Sequence, residues 1–141
     1  MNRSLKAYIA GLVTVCAVVL AVTSLVIPVN DAIRLRVFSA VGLDAFAGLV
    51  FWTAITLLAS ALPIKMPRGS IISTSIAPLV VLLSLGGPTA GGWVALIGTT
   101  DLRELHREVP WYGTLANHAG LALPAVFGGI VSGMFGGPDA T

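Results

Sequence analysis

Charge is the scarcest ingredient of this chain. Charged residues make up 10% of its 141 positions, against about 25% in a typical soluble domain. So few ionisable groups cannot clothe a water-facing surface of this size. The eight Lys and Arg are also too few and too scattered for a nucleic-acid footprint. Cysteine is nearly absent. Cys16 is the single one, which excludes an intrachain disulfide and a cysteine-pair metal site. It lies inside an apolar run and is expected to be a small lipid- or helix-facing residue. No HExxH, CxxC, GxSxG or P-loop pattern occurs. No catalytic residue, metal ligand or cofactor is therefore assigned, and the chain is expected not to be an enzyme.

What is abundant is apolar. Hydrophobic residues are 56% of the chain and the mean hydropathy is +0.94. They fall into five stretches, and the charges sit in the short gaps between them. This pattern predicts an all-α polytopic membrane bundle, a single domain over 1–141 with about five transmembrane helices at 7–27, 43–62, 70–85, 88–105 and 111–135. The first apolar run is longer than the core of a cleaved signal peptide, and no small-x-small cleavage site interrupts it, so it is read as a retained span. Pro28 stops it. The connector that follows mixes Asn30, Asp31, Arg34 and Arg36 with Ile33, Leu35 and Phe38, as an interfacial segment does. Asp44 opens the second span, where a carboxylate suits a helix N-terminus. Pro63 closes it, and the loop around Lys65, Pro67 and Arg68 reads as rigid and basic.

Segments three and four are short. Gly86-Gly87-Pro88 turns the chain sharply between them, and Pro88 is well placed as the first residue of a new helix. They are read as two short spans, with a re-entrant hairpin as the alternative. The polar stretch 101–108 is expected to carry helix four onward into water, and Pro110 ends it. Trp111 and Tyr112 then fit an interfacial aromatic belt. Lys and Arg set the orientation. With the N-terminus inside, Arg3, Lys6, Lys65, Arg68, Arg103 and Arg107 are inner and only Arg34 and Arg36 are outer, which favours N-in.

Helices in lipid associate through close backbone approach at small residues. The last span carries Ala116, Gly120, Pro124, Gly128, Ser132 and Gly136 at intervals of four, with Gly129 and Gly133 forming an adjacent GxxxG. Gly87 and Gly91 begin another. Packing roles are therefore expected at Gly87, Gly91, Gly120, Gly128, Gly129 and Gly133, within the chain or across a homodimer. Glu104 and Glu108, four apart beside Arg103 and Arg107, read as a solvated helix end. Asn117 and His118 are more informative, because a polar pair two turns into a span is costly unless it faces protein, water or ligand. They are the candidate ligand or proton-sensing residues, with Trp93 as a third wall. Interhelical hydrogen bonding is the plainer role for the pair.

Three stretches taken together, Leu62-Pro-Ile-Lys-Met-Pro-Arg-Gly69, Gly86-Gly-Pro-Thr-Ala-Gly-Gly-Trp-Val-Ala-Leu-Ile-Gly98 and Val109-Pro-Trp-Tyr-Gly-Thr-Leu-Ala-Asn117-His-Ala119, resemble the N-terminal membrane region of bacterial HD-GYP and GGDEF signalling proteins. That resemblance implies a sensory input module of the bacterial inner membrane. Relatives of this kind carry a cyclic di-GMP phosphodiesterase or cyclase domain, for which these residues hold no motif. It implies a small-molecule ligand, an output domain and the lipid bilayer as partners. The glycine-rich hairpin, with Ala17 and Ala21 in the first span, also resembles the substrate-binding membrane subunits of energy-coupling-factor vitamin transporters, which implies solute binding as the alternative function.

Overall fold

The computed structural model describes residues 3–62, 64–65, 71–106 and 108–135. The chain is helical almost throughout. Its elements are α1 (Arg3–Val26), two short 3-10 helices (Asp31–Ile33 and Arg36–Val41), α2 (Asp44–Ser60), a strand pair β1 (Ile64–Lys65) and β2 (Ile71–Ile72), then α3 (Ile76–Gly98), α4 (Leu102–Leu105) and α5 (Trp111–Met134). The two strands are antiparallel, Ile64 opposite Ile72. By length and composition α1, α3 and α5 are long and apolar enough to cross a membrane, and α2 is a shorter apolar helix.

Length overstates the reach of α3. Gly87 interrupts it with φ 77° and ψ −175°, a conformation open essentially to glycine alone. The chain folds back there. A Cβ on Gly91 would stand 3.9 Å from the Cα of Leu83, although eight residues of unbroken helix rise about 12 Å. α3 is thus a hairpin with legs 76–86 and 88–98. Its open end lies by the C-terminus of α2, where Thr74 Oγ1 donates to Ala59 O at 2.5 Å and Ser60 Oγ donates to Gly98 O at 3.1 Å. Its turn lies at the opposite end of the bundle. There Thr89 Oγ1 donates to Thr23 O at 3.1 Å and Ile27 O at 2.6 Å, and the Asn30 N–H donates to Gly86 O at 3.3 Å.

The second leg is the axis of the molecule. α1 reaches it through Leu20 at Gly92, α2 through Thr56 at Gly98, α5 through Val126 at Gly92 and Gly129 at Pro88, and the first leg through Leu83 at Gly91. Small side chains allow all four neighbours to close in. Ala90, Val94 and Ala95 are fully buried, along with Leu82 of the first leg and Ala122 and Val126 of α5. The Gly/Ala richness of 86–98 is the consequence of that central position.

Several boundaries differ from the sequence expectation. The third helix begins at Ile76, because residues 71–72 are a strand and 73–75 a turn held by the Ser73–Ser75 side-chain hydrogen bond (2.7 Å). The fourth does not run to residue 105. It ends at Gly98, and the separate α4 follows a break at Thr99–Asp101. Asp44 sits in the first turn of α2 without a side-chain cap bond and lies 3.6 Å from Arg34, which also meets Asp31 at 3.0 Å. Cys16 is buried. The basic loop at Pro63, Met66–Ser70, together with Arg107 and Gly136–Thr141, lies outside the described residues.

The small-residue ridges divide by face. Gly91 and Gly129 are contact points, as expected, and Gly129 is the tighter: a Cβ there would meet Pro88 Cα at 2.7 Å. Gly87 serves the turn and has no contact of this kind. Gly120, Gly128 and Gly133 face open space. The ridge Gly120–Pro124–Gly128 points away from the bundle, because α5 turns its Ala119–Ala122–Ala125–Val126–Gly129 face inward.

Candidate functional site

The last turn of the second leg, the short α4 and the first two turns of α5 converge at one end of the bundle. His118 lies seven residues into α5, about 10 Å along its axis. Its side chain is only 12% exposed. Nδ1 is hydrogen-bonded to the Leu96 carbonyl oxygen. Nε2 lies 2.8 Å from Glu104 Oε2, and the Glu104 side chain is 4% exposed. Asn117 Nδ2 donates to Glu104 Oε1 at 3.3 Å from the rim. The Asp101 N–H reaches Glu104 Oε2 at 3.4 Å.

Local chemistry explains why Glu104 points inward. Asp101 accepts from the Arg103 N–H at 3.1 Å, while Glu104 reaches back to the Asp101 N–H. The first bond caps the second helical N–H, and the second, from the third helical residue back to the cap N–H, is the return bond of a capping box. Arg103 turns the other way and clamps the Asp101 carboxylate (2.7 and 3.0 Å). Asp101 so placed holds the exposed Arg103 guanidinium above its ordinary range. Arg103 is thus held on Asp101, and among the described residues His118 is the ionisable side chain in contact with Glu104.

Expectation and geometry part company in two places. Glu104 is not part of a solvated pair with Glu108. It is the most deeply buried carboxylate of the cluster, and Glu108 alone is exposed. The signal that marks it is the Asp101-x-x-Glu104 spacing ahead of a helix. Trp93 does not join Asn117 and His118. Its indole N–H donates to Ser24 Oγ of α1 at 2.9 Å, and its ring borders a groove with Phe46, Val50 and Thr53 of α2. Trp93 thus bridges from the second leg to α1 and borders the α2 groove.

A cavity of about 680 Å³ is bordered by Glu104 itself with Val109, Pro110, Trp111 and Thr114. A crevice of about 350 Å³ between α1 and α5 is bordered by Cys16, Leu20, Leu96, Leu115 and His118. Another cavity, of about 520 Å³, opens at the far end, around the turn of α3, where Asn30, Asp31, Arg34, Ser84, Gly87 and Ser132 line it. Among the described residues no group of three His, Cys, Asp or Glu side chains is placed to hold a metal ion. Comparison with protein-family models, with curated proteins and with solved structures finds no match.

Proposed function

We propose that the chain is a membrane-embedded sensory input module of a bacterial signalling protein, non-catalytic in itself. The observation that carries this reading is the buried Glu104–His118 contact. It ties the 99–106 segment, at the end of the bundle that holds Arg3, Lys6, Lys65 and Arg103, to a helix that runs the full depth of the fold. A contact that can be made or broken at that point links events inside the bundle to its basic face. On the positive-inside rule this face is cytoplasmic, where a cyclic di-GMP phosphodiesterase or cyclase domain would read it. A ligand or ion acts by favouring one packing of these helices over another.

All five apolar segments lie in the inner membrane on this reading. Each leg of α3, about 11 residues and about 16 Å long, is shorter than the roughly 30 Å hydrocarbon core. On this reading the legs cross as a pair, with the connector that bonds Asn30 N–H to Gly86 O at the turn and the 99–106 stretch beside the open end. Non-helical backbone at membrane depth is tolerated where it is buried in protein.

The test is made in the native host. His118→Leu and Asn117→Leu are expected to shift cellular cyclic di-GMP. Unchanged levels, with the variants present in the membrane at normal abundance, would remove these residues from signalling. Single cysteines in a Cys16→Ser background report topology. Arg36→Cys should label from outside and Arg103→Cys from inside. Labelling of both from one side would exclude an odd number of crossings between them.

One observation favours a second reading, a substrate-binding membrane subunit of a vitamin-type transporter. The cavity at the α3 turn has the size of a small-molecule site, and the broken ends of a helix hairpin border it, as at transporter substrate sites. Copurification with an ATPase-driven partner, or a small molecule retained by the purified chain, would favour that reading over sensing.

A further inference from the structure

His118 poses a proton-counting problem. Its two ring nitrogens face two acceptors, the Leu96 carbonyl oxygen at Nδ1 and the Glu104 carboxyl at Nε2. A neutral imidazole has one N–H and can satisfy only one of them. The other nitrogen would then set its lone pair against an oxygen lone pair, in a place where both side chains are almost wholly buried. The Leu96 carbonyl can only accept, which fixes a proton on Nδ1. A second proton is then required between Nε2 and Glu104 Oε2. Glu104 already receives the Asp101 N–H and the Asn117 amide, and an ionised carboxylate completes that set with a third donor from an imidazolium.

We infer that Glu104 and His118 form a proton-binding site, and that the bound proton latches the 99–106 segment to α5. The site stands independently of the sensory reading. Where both hold, the proton is the signal.

Among the described residues, the titratable and charged groups near the pair are these. From the loop, Asp101 is engaged by Arg103, and His106 and Glu108 are exposed. From α5 the neighbour is the neutral Asn117, from α3 a carbonyl, and from α1 the thiol of Cys16 across the crevice. Lys6 borders a separate crevice with Trp111 and Tyr112.

The sign of the effect follows from the count. The latched form holds the Nε2 proton. With the segment released, Nε2 has no carboxylate to hold that proton. Wherever the released form is deprotonated, latching must take up one proton, so the latched-to-released ratio falls by up to about tenfold per pH unit. Where both forms are protonated the ratio levels off.

The full chain in lipid nanodiscs tests this with two readouts. The first is ¹⁵N-histidine NMR. The chain has two histidines, and His106→Gln assigns their signals. At pH 7 His118 should show either two N–H nitrogens, or one bare nitrogen together with the infrared band of a protonated Glu104. A bare Nε2 beside an ionised Glu104 would overturn the site. The second is amide hydrogen exchange across 99–106, as protection factors corrected for intrinsic rates between pH 6 and 9. Wild type should lose protection by up to about tenfold per unit above the imidazole range. Glu104→Gln is the control, because a carboxamide can turn its NH₂ toward a neutral Nε2 while Nδ1–H still serves Leu96. Its protection should be flat. A flat wild-type profile, or the same slope in both proteins, would overturn the latch.

Discussion

Neighbouring glycines of α5 give a stringent test of how the bundle packs. Gly128 and Gly129 differ by one position and so by about 100° around the helix. A methyl group at Gly128 meets nothing within 4 Å. At Gly129 the same methyl meets Pro88 Cα at 2.7 Å, its Cβ at 2.9 Å and its N at 3.0 Å. Carbon pairs prefer about 3.5–4.0 Å, so α5 and the hairpin turn must part by most of an ångström. The obstacle is backbone, and Thr89 beside it is bonded to the end of α1, so no side chain can swing aside. Both variants gain the same helix propensity, about 0.8–1 kcal/mol. The difference between them is therefore the overpacking cost, about 1–3 kcal/mol, or roughly 5- to 150-fold in the unfolding equilibrium. Equilibrium unfolding in mixed micelles, followed by helical circular dichroism, measures it. Gly128→Ala should match or exceed wild type, and Gly129→Ala should fall below it. Equal stability, or the reverse order, would refute the placement of Pro88 against α5.

Two further outcomes are expected in the same assay. Gly87→Ala should cost about 1–3 kcal/mol even though open space surrounds the site, because the strain is in the backbone at φ 77°. Thr89→Val keeps shape and removes the hydroxyl that serves Thr23 and Ile27. It should cost about 1 kcal/mol and loosen the turn end, seen as faster exchange at Asn30, whose N–H donates to Gly86 O.

Much of this fold is legible in the chain, for physical reasons that particular residues make plain. Apolar runs mark α1, α2 and α5 to within a few residues, because burial in lipid demands length and uniformity alike. Gly86-Gly87-Pro88 announces the break in α3, since only glycine takes that φ and proline suits the next helix start. The central position of the second leg is not legible. Its residues are apolar on every side, so periodicity cannot say which neighbours surround it. The ridges of α5 are ambiguous for a related reason. Gly120 and Gly128 on the outer face look the same as Gly129 on the inner one, and spacing alone does not fix which way the helix faces.

The candidate site was half visible. Asn117 and His118 stand out because polar groups are rare within apolar runs. Glu104 is hidden by its company, as a carboxylate among Asp101, Arg103, His106, Arg107 and Glu108 resembles any solvated helix end. Its placement depends on a chain reversal through Val109 and Pro110 that brings residues 14 apart into contact. Trp93 lies apart from Asn117 and His118, against Ser24 of α1 and the α2 groove, because sequence spacing does not say which neighbour a tryptophan on a short helix meets.

The central claim is that Glu104 and His118 are one buried unit, and a double-mutant cycle in lipid tests it most directly. His118→Leu leaves the buried Glu104 carboxyl without its Nε2 partner and Glu104→Leu leaves His118 Nε2 without its acceptor; each should cost about 1–3 kcal/mol. The double variant replaces both with apolar groups, so it should be more stable than either single one, with a coupling of at least about 1 kcal/mol. Additive losses, with the double variant the least stable of the three, would contradict the account.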